Sequence, residues 1–164
     1  MAAGTVTRRG LASHYSVVYR NVYLADGAEM TAAKRALAAW LWSGRRSTLT
    51  GLSASAVYGT PWIDPEAPAE LHRRNGKPTS GILVHRDELR VEEIRRFSGL
   101  PVTTPARTAF DLGRRPGRDE AVVQVDALSQ ATRVRADDIA PLLELHPGVR
   151  GLVQLREVLH LMDG

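Results

Sequence analysis

Residues 102–112 read VTTPARTAFDL, and a change from strand to helix is predicted within this stretch. Thr104 stands directly before Pro105, and a threonine N-cap followed by proline at the first helical position is a typical start of a helix. The apolar pair Pro101-Val102 just before it predicts a short strand. The segment therefore predicts the junction between a sheet on its N-terminal side and a helical half on its C-terminal side.

Arg107 and Asp111 lie four residues apart on this predicted helix. If they are exposed, they form an intrahelical ion pair that contributes a few tenths of a kcal/mol. In the alternative, Arg107 is buried and ties the helix to the sheet or to Asp126. We interpret Thr104, Pro105, Arg107 and Asp111 as a structural motif rather than a ligand site.

The chain after this motif is predicted to be helical to its end. Pro116-Gly117 and Pro147-Gly148 interrupt it, and apolar residues recur at helical spacing between the breaks. The predicted helices are Thr104 to about Arg114, Asp119 to Ala131, Ala136 to Leu145 and Val149 to Met162.

The region before the motif predicts a small, mostly antiparallel sheet. Arg73 to Pro78 has the residues of a hairpin tip. The strand candidates are Thr48 to Thr50, Ala69 to His72, Ile82 to His85, Ile94 to Phe97 and Pro101-Val102. Two helices are predicted among them, at Met30 to Ser43 with Gly44 as C-cap, and at Ser53 to Tyr58. The tryptophans Trp40, Trp42 and Trp62 are expected in the core, with base stacking as the alternative.

The N-terminal segment predicts half of a winged helix-turn-helix. Thr5 to Ser13 is a short helix, and Tyr15 to Leu24 forms two strands joined by the turn Arg20-Asn21. A helix that leads straight into a basic hairpin is typical of the second half of that motif. The fold class is therefore α+β: a truncated winged helix-turn-helix, a small mostly antiparallel sheet and a C-terminal helical bundle.

Positive charge is concentrated in the first third of the chain. Residues 1–60 carry seven basic and two acidic side chains, whereas residues 61–164 carry 15 basic and 16 acidic ones. Such an asymmetry is typical of a protein whose basic N-terminal part binds a polyanion and whose remainder is neutral. The alternative is that this charge distribution arose by chance in a basic protein. Arg8 and Arg9 would reach base edges, while His14, Tyr15 and Arg20 would contact phosphates and sugars. Arg45 and Arg46 are further candidates for phosphate contacts.

The sequence does not predict catalysis. There is no cysteine, and the five histidines are scattered without metal-ligand spacing, so we expect no metal and no cofactor. Phosphate-binding glycine loops and a complete serine-nucleophile elbow are absent as well. No apolar run approaches the roughly 20 residues that span a bilayer. The predicted protein is a cytoplasmic binding protein and not an enzyme.

The order of the motifs resembles a known family. The basic helix, the NVY hairpin, the W-L-W helix, SASAVYG, LPVTTPARTAFDLGRR and HPGVRGLVQLREVL follow one another as in AbiEi-type antitoxins of bacterial type IV toxin–antitoxin systems. The likeness is greatest to a subgroup in which this region precedes a Vsr-like domain of the restriction-endonuclease fold. We do not expect that nuclease domain within these 164 residues. By this resemblance, Thr7, Arg8, Arg9 and Ser13 match the end of the DNA-reading helix, and Tyr19 to Tyr23, with Asn21, match the wing.

The resemblance implies two domains, a partial winged head at 1–28 and an antitoxin-type domain at 29–164, with the sheet at about 47–103 and the helices at about 104–162. It also implies a DNA-binding antitoxin that represses its own operon. The expected partners are double-stranded DNA, a cognate nucleotidyltransferase toxin and a second copy of the chain, but no membrane. Two alternatives remain: a non-catalytic DNA-targeting domain of a nuclease, and a protein–protein interaction domain with a degenerate winged head.

Overall fold

The computed structural model describes residues 13–75, 77 and 79–162. Strands and helices follow one another in an α+β arrangement, which confirms the predicted fold class. The strands are β1 (Tyr15–Tyr19), β2 (Val22–Ala25), β3 (Thr48–Leu49), β4 (Ala69–His72), β5 (Ile82–His85), β6 (Ile94–Phe97) and β7 (Leu100–Thr103). The helices are α1 (Ala32–Trp42), α2 (Gly51–Val57), α3 (Pro105–Arg114), α4 (Arg118–Thr132), α5 (Ala136–Leu145) and α6 (Leu152–Met162).

The larger sheet is mixed rather than mostly antiparallel. Its strand order is β5-β4-β3-β7-β6; β3–β4 and β6–β7 are antiparallel, whereas β3–β7 and β4–β5 are parallel. The hairpin tip predicted at 73–78 is wrong, because Ala69 pairs with Ile82 and Leu71 with Val84 in parallel register. Turn-forming residues mark where a strand stops, but they do not determine the direction in which the next strand joins the sheet.

The predicted hairpin is present as β1 and β2, which pair antiparallel. Its turn uses Asn21 at φ 62°, a left-handed conformation that asparagine tolerates better than most residues. Tyr19 and Val22 are buried, and the Tyr19 hydroxyl donates to the Gly81 carbonyl at 3.0 Å. The hairpin is thus attached to the body of the molecule by both apolar contact and a hydrogen bond.

The described residues form two hydrophobic cores. The first joins the hairpin, α1 and the sheet, and the buried alanines Ala36 and Ala39 of α1 belong to it. The second lies among α3 to α6, around Phe110. Because the hairpin contributes to the first core, residues 13–28 and the sheet share one apolar interior. The domain boundary at residue 28 stays a prediction.

The helical half follows the predicted spans to within three residues. Thr104 caps α3, where its Oγ1 accepts from the Arg107 backbone N–H at 3.2 Å. Gly151 lies just before α6 at φ 90°, where a Cβ would stand 2.1 Å from the Arg114 carbonyl oxygen. Only glycine lets the chain pass that close to the end of α3.

The tryptophans divide into two groups. Trp40 and Trp42 are half-buried and pack against the first core, as predicted. The core prediction for Trp62 is wrong, because its side chain is 97% exposed. It lies at φ 65° in the loop between α2 and β4, a conformation that hydrophobic patterning does not reveal.

Candidate nucleic-acid interface and buried ion-pair network

The predicted DNA-contacting residues lie partly outside the described residues. This applies to Thr7, Arg8 and Arg9, of which the structure therefore says nothing. Within the described part, the side chains of Ser13, His14, Arg20 and Asn21 are exposed and Tyr15 is half-buried. These candidates therefore lie at the surface, whereas Tyr19 and Val22 of the predicted wing are buried.

An open cleft of about 460 Å³ joins the hairpin to the C-terminal end of α1. Tyr15, Asn21 and Tyr23 line it from the hairpin, and Arg45 lines it from the segment after α1. The Arg45 guanidinium lies over the Trp40 ring, 5.7 Å from the ring centroid. This contact holds the Arg45 cation beside the hairpin. The fold therefore brings together two predicted DNA-contacting residues, Asn21 and Arg45, that lie 24 residues apart in sequence.

Strand register collects further arginines at one end of the five-stranded sheet. Thr48 pairs with His72, so Arg46 and Arg74 each lie two residues beyond the same pair. Leu49 pairs with Val102 in parallel, and Phe97 pairs with Leu100, so the β6–β7 turn is at this end too. We call Arg46, Arg73, Arg74 and Arg96 the arginine rim.

The rim arginines are not neutralised by carboxylates. Among the described residues, no ion pair involves any of the four, and their side chains are exposed except for half-buried Arg73. Arg96 donates only to the backbone carbonyl of Gly99, at 3.0 Å. By contrast, Arg35, which contributes to the N-terminal charge excess, is paired with Glu66 at 2.9 Å.

Of the four rim arginines, only Arg46 was predicted from the sequence; Arg73, Arg74 and Arg96 were not. These three lie in the part of the chain whose net charge is close to zero. Their proximity to Arg46 depends on the pairing of β3 with both β4 and β7, which brings together strand ends up to 50 residues apart. Two Arg-Arg pairs in the sequence could have indicated this basic surface. One is Arg73-Arg74, directly after a predicted strand, and the other is Arg95-Arg96, inside β6.

Arg107 is buried and is the centre of a second cluster. Its side chain is 2% exposed and donates from Nε to Asp111 Oδ2 at 3.1 Å and from Nη1 to Glu93 Oε2 at 2.7 Å. His146 Nε2 contacts Glu93 Oε1 at 2.5 Å. Of the two arrangements considered from sequence, the buried one is observed. Arg107 pairs with Glu93, directly before β6. It does not pair with Asp126, the other predicted partner, which is exposed on α4.

Asp111 extends this network to the end of α3. Its Oδ1 accepts from Arg114 Nε at 3.0 Å, and Arg115 Nη2 lies 3.1 Å from the same oxygen. Asp87, which follows β5, accepts from both arginines. The network therefore fastens α3 to the sheet at two places, through Glu93 near one end of α3 and through Asp87 near the other.

The pKa of Asp87 is lowered. Burial acts to raise it, but the hydrogen bonds and positive charges of Arg115 and Arg114 outweigh that effect and hold the pKa well below its usual value. A carboxylate with a depressed folded-state pKa stabilises the fold above its unfolded pKa of about 3.9, and this contribution is lost as the pH falls below that value.

We therefore expect Asp87→Asn to lower the free energy of unfolding at pH 7 by roughly 1.5 kcal/mol, at the low end for hydrogen bonds to charged groups because Asp87 keeps some contact with solvent. The deficit should shrink as the pH falls below about 4, because Asp87 of the unfolded wild-type chain then binds a proton while folded Asp87 stays charged, which removes the stability that the charge contributes. Urea unfolding of both proteins from pH 7 to pH 3 measures this. A deficit that is constant with pH would contradict the charge-based account.

Among the described residues, no group of three or more histidine, aspartate or glutamate side chains is placed to hold a metal ion. None of the described helices is long and apolar enough to span a bilayer. Within the described residues, the arginines of the hairpin cleft and of the arginine rim thus form no ion pair, whereas those of α3 belong to a buried ionic network.

Comparison with known proteins gives one family and two relatives. The family model described as "AbiEi antitoxin C-terminal domain" matches residues 49–161. Uncharacterized proteins from two strains of Mycobacterium tuberculosis are each 30% identical over 152 residues, which is 90% of this chain and 53% of theirs. The chain thus spans about half the length of these curated relatives. No solved structure matches it.

Proposed function

Because this chain belongs to the AbiEi antitoxin family, we propose that it is a DNA-binding antitoxin that represses the transcription of its own operon. We propose that its cognate toxin is a nucleotidyltransferase. The antitoxin itself acts in the cytoplasm and has no enzymatic activity. The observation that carries the DNA-binding part is the contrast between the arginine rim, which is unpaired, and the buried arginines of α3, which are paired.

The dimensions of the rim suit a DNA duplex. Neighbouring strands lie about 4.8 Å apart, so the three steps from β4 to β6 separate Arg74 from Arg96 by about 14 Å. The major groove is about 12 Å wide. Arginines at this separation can contact phosphates on the two sides of one groove, and we propose that Arg45 of the hairpin cleft and the exposed Arg20 of the β1–β2 turn add further contacts.

The roles divide by position. Arg8 and Arg9, in the first turn of the helix expected from the sequence, read base edges, and Thr7 and Ser13 contact DNA from the same segment, because the N-terminal residues of a recognition helix face the groove. His14, Tyr15, Arg20 and Asn21 contact the backbone from the wing, and Arg45 and Arg46 continue that line onto the rim. We further propose that two copies bind a palindrome or repeat, because a single module buries a modest area on DNA.

A reporter placed behind the DNA upstream of the gene tests the repressor role. We expect the wild-type chain to lower reporter expression about tenfold or more, and Arg20→Gln combined with Arg46→Gln to restore most of it, because phosphate contacts supply a large share of affinity. Co-expression with the proposed nucleotidyltransferase toxin tests the antitoxin role, with growth rescue as the expected result. Unchanged reporter expression together with no rescue would contradict the proposal.

A further inference from the structure

A groove of about 330 Å³ lies between α4 and the loop that connects α2 to β4. Trp62 lines it from the loop with a side chain that is 97% exposed. Val123, which is 68% exposed, lines it from α4 together with Glu120, Gln124 and Ala127. These four residues recur at helical spacing, so they form one face of α4, different from the face that packs in the second core. We call this surface the Trp62 groove.

The loop beside the groove is held in place before any partner binds. Thr60 Oγ1 accepts from Ser55 Oγ at 2.8 Å, and Asp64 Oδ1 accepts from the Glu66 backbone N–H at 2.8 Å. Arg35 of α1 donates to both the Pro65 carbonyl and the Glu66 carboxylate. A preorganised loop loses less conformational entropy on binding than a loose one.

Folding does not account for the position of Trp62. The residue lies at φ 65°, in the left-handed region that side chains other than glycine and asparagine rarely adopt. Its indole belongs to neither hydrophobic core. Exposed tryptophans beside an apolar depression are typical of the central anchor residues of protein–protein contacts.

The charge around the groove limits what can occupy it. Its charged lining residues among those described are Asp64 and Glu120, both acidic; Asp119, next to Glu120, is fully exposed and lies 3.9 Å from the Arg118 guanidinium. Nucleic acid and anionic lipid surfaces would be repelled by these carboxylates. A second copy packed through a twofold axis on this groove would bring the same acids towards one another.

We propose that the Trp62 groove docks a segment of another protein that carries a large apolar side chain flanked by lysine or arginine. The apolar side chain packs beside Trp62 and Val123, and the flanking cations lie against Asp64 and Glu120. This goes beyond the DNA-binding function: the groove shares no lining residue with the hairpin cleft, so both surfaces can be occupied at once.

A peptide titration on the full chain tests the proposal. The probe is a fluorescein-labelled, 14-residue amphipathic peptide of leucine and lysine, and the matched probe replaces each lysine by glutamate. We expect the lysine peptide to bind and to shift the Trp62 indole N–H signal in NMR spectra. Trp62→Ala should weaken binding at least about tenfold, and Glu120→Lys should also weaken it severalfold. Val153→Ala, at an exposed valine on α6, should change affinity less than about twofold.

Each alternative occupant has its own outcome. Equal affinity for the glutamate peptide, or an affinity that does not change in Trp62→Ala, would overturn the proposal. A Trp62 signal that moves with protein concentration alone would assign the groove to a second copy, and one that moves with phosphatidylglycerol vesicles would assign it to a membrane; either would also overturn it. Because Trp62 is exposed, its alanine variant should unfold at an unchanged temperature, which separates lost docking from lost folding.

Discussion

Replacing Arg107 by methionine is expected to lower the free energy of unfolding by about 3–5 kcal/mol, the range for removing one partner of a buried ion pair. Arg107 is almost fully buried, and its guanidinium donates to Asp111, Glu93 and the Glu88 carbonyl. Methionine has a comparable length but leaves both carboxylates without this cation. The cost is therefore that of uncompensated buried charge rather than of lost volume.

Urea denaturation measures this loss, with Arg156→Met on the exposed face of α6 as the matched control. The control should stay within about 0.5 kcal/mol of wild type. Adding Glu93→Gln to Arg107→Met should recover part of the loss, because the Glu93 carboxylate that has lost its arginine is then replaced by a neutral amide, whereas Asp111 keeps Arg114 and Arg115. A loss below about 1 kcal/mol for Arg107→Met would mean that the network does not hold α3 to the sheet.

Changing four surface arginines to glutamine should weaken DNA binding without changing the fold. The variant replaces Arg45 of the hairpin cleft, Arg46 and Arg74 of the arginine rim, and the exposed Arg20 of the β1–β2 turn. Each neutralised phosphate contributes about 0.9 to the slope of log affinity against log salt, so the slope should become shallower by about 3.6. At low salt the affinity should fall by about two orders of magnitude or more.

The control for this variant has the same change in net charge. Arg133, Arg135, Arg150 and Arg156 are exposed on the helical half, and replacing all four by glutamine should leave both the affinity and the slope within experimental error. Fluorescence anisotropy with a labelled duplex gives both quantities. If the two variants weaken binding equally, the attraction is due to net charge and not to the basic surface.

The sequence predicts the elements of this fold better than it predicts their arrangement. The Thr104-Pro105 start of α3 and the Arg20-Asn21 turn were correct because each depends on adjacent residues. The parallel pairing of β4 with β5 was missed, since the direction of a short strand depends on contacts made far along the chain. The sheet is consequently mixed.

The candidate surfaces show the same distinction. Arg20 and Arg45 were found from local charge, whereas Arg74 joins them only through the pairing of Thr48 with His72. The burial of Arg107 was one of two alternatives, because helical spacing to Asp111 does not show which side of α3 is covered. Glu93 could not be identified as its partner from a position 14 residues earlier in the chain.

The most direct test of the account is the salt dependence of binding between the wild-type chain and the duplex upstream of its gene. We expect binding in 50 mM salt, a slope of log affinity against log salt steeper than about −3.6, and weaker binding to a scrambled duplex of equal length. No binding at 50 mM salt, or a slope near zero, would show that the unpaired arginines do not contact a phosphate backbone and would contradict the proposed function.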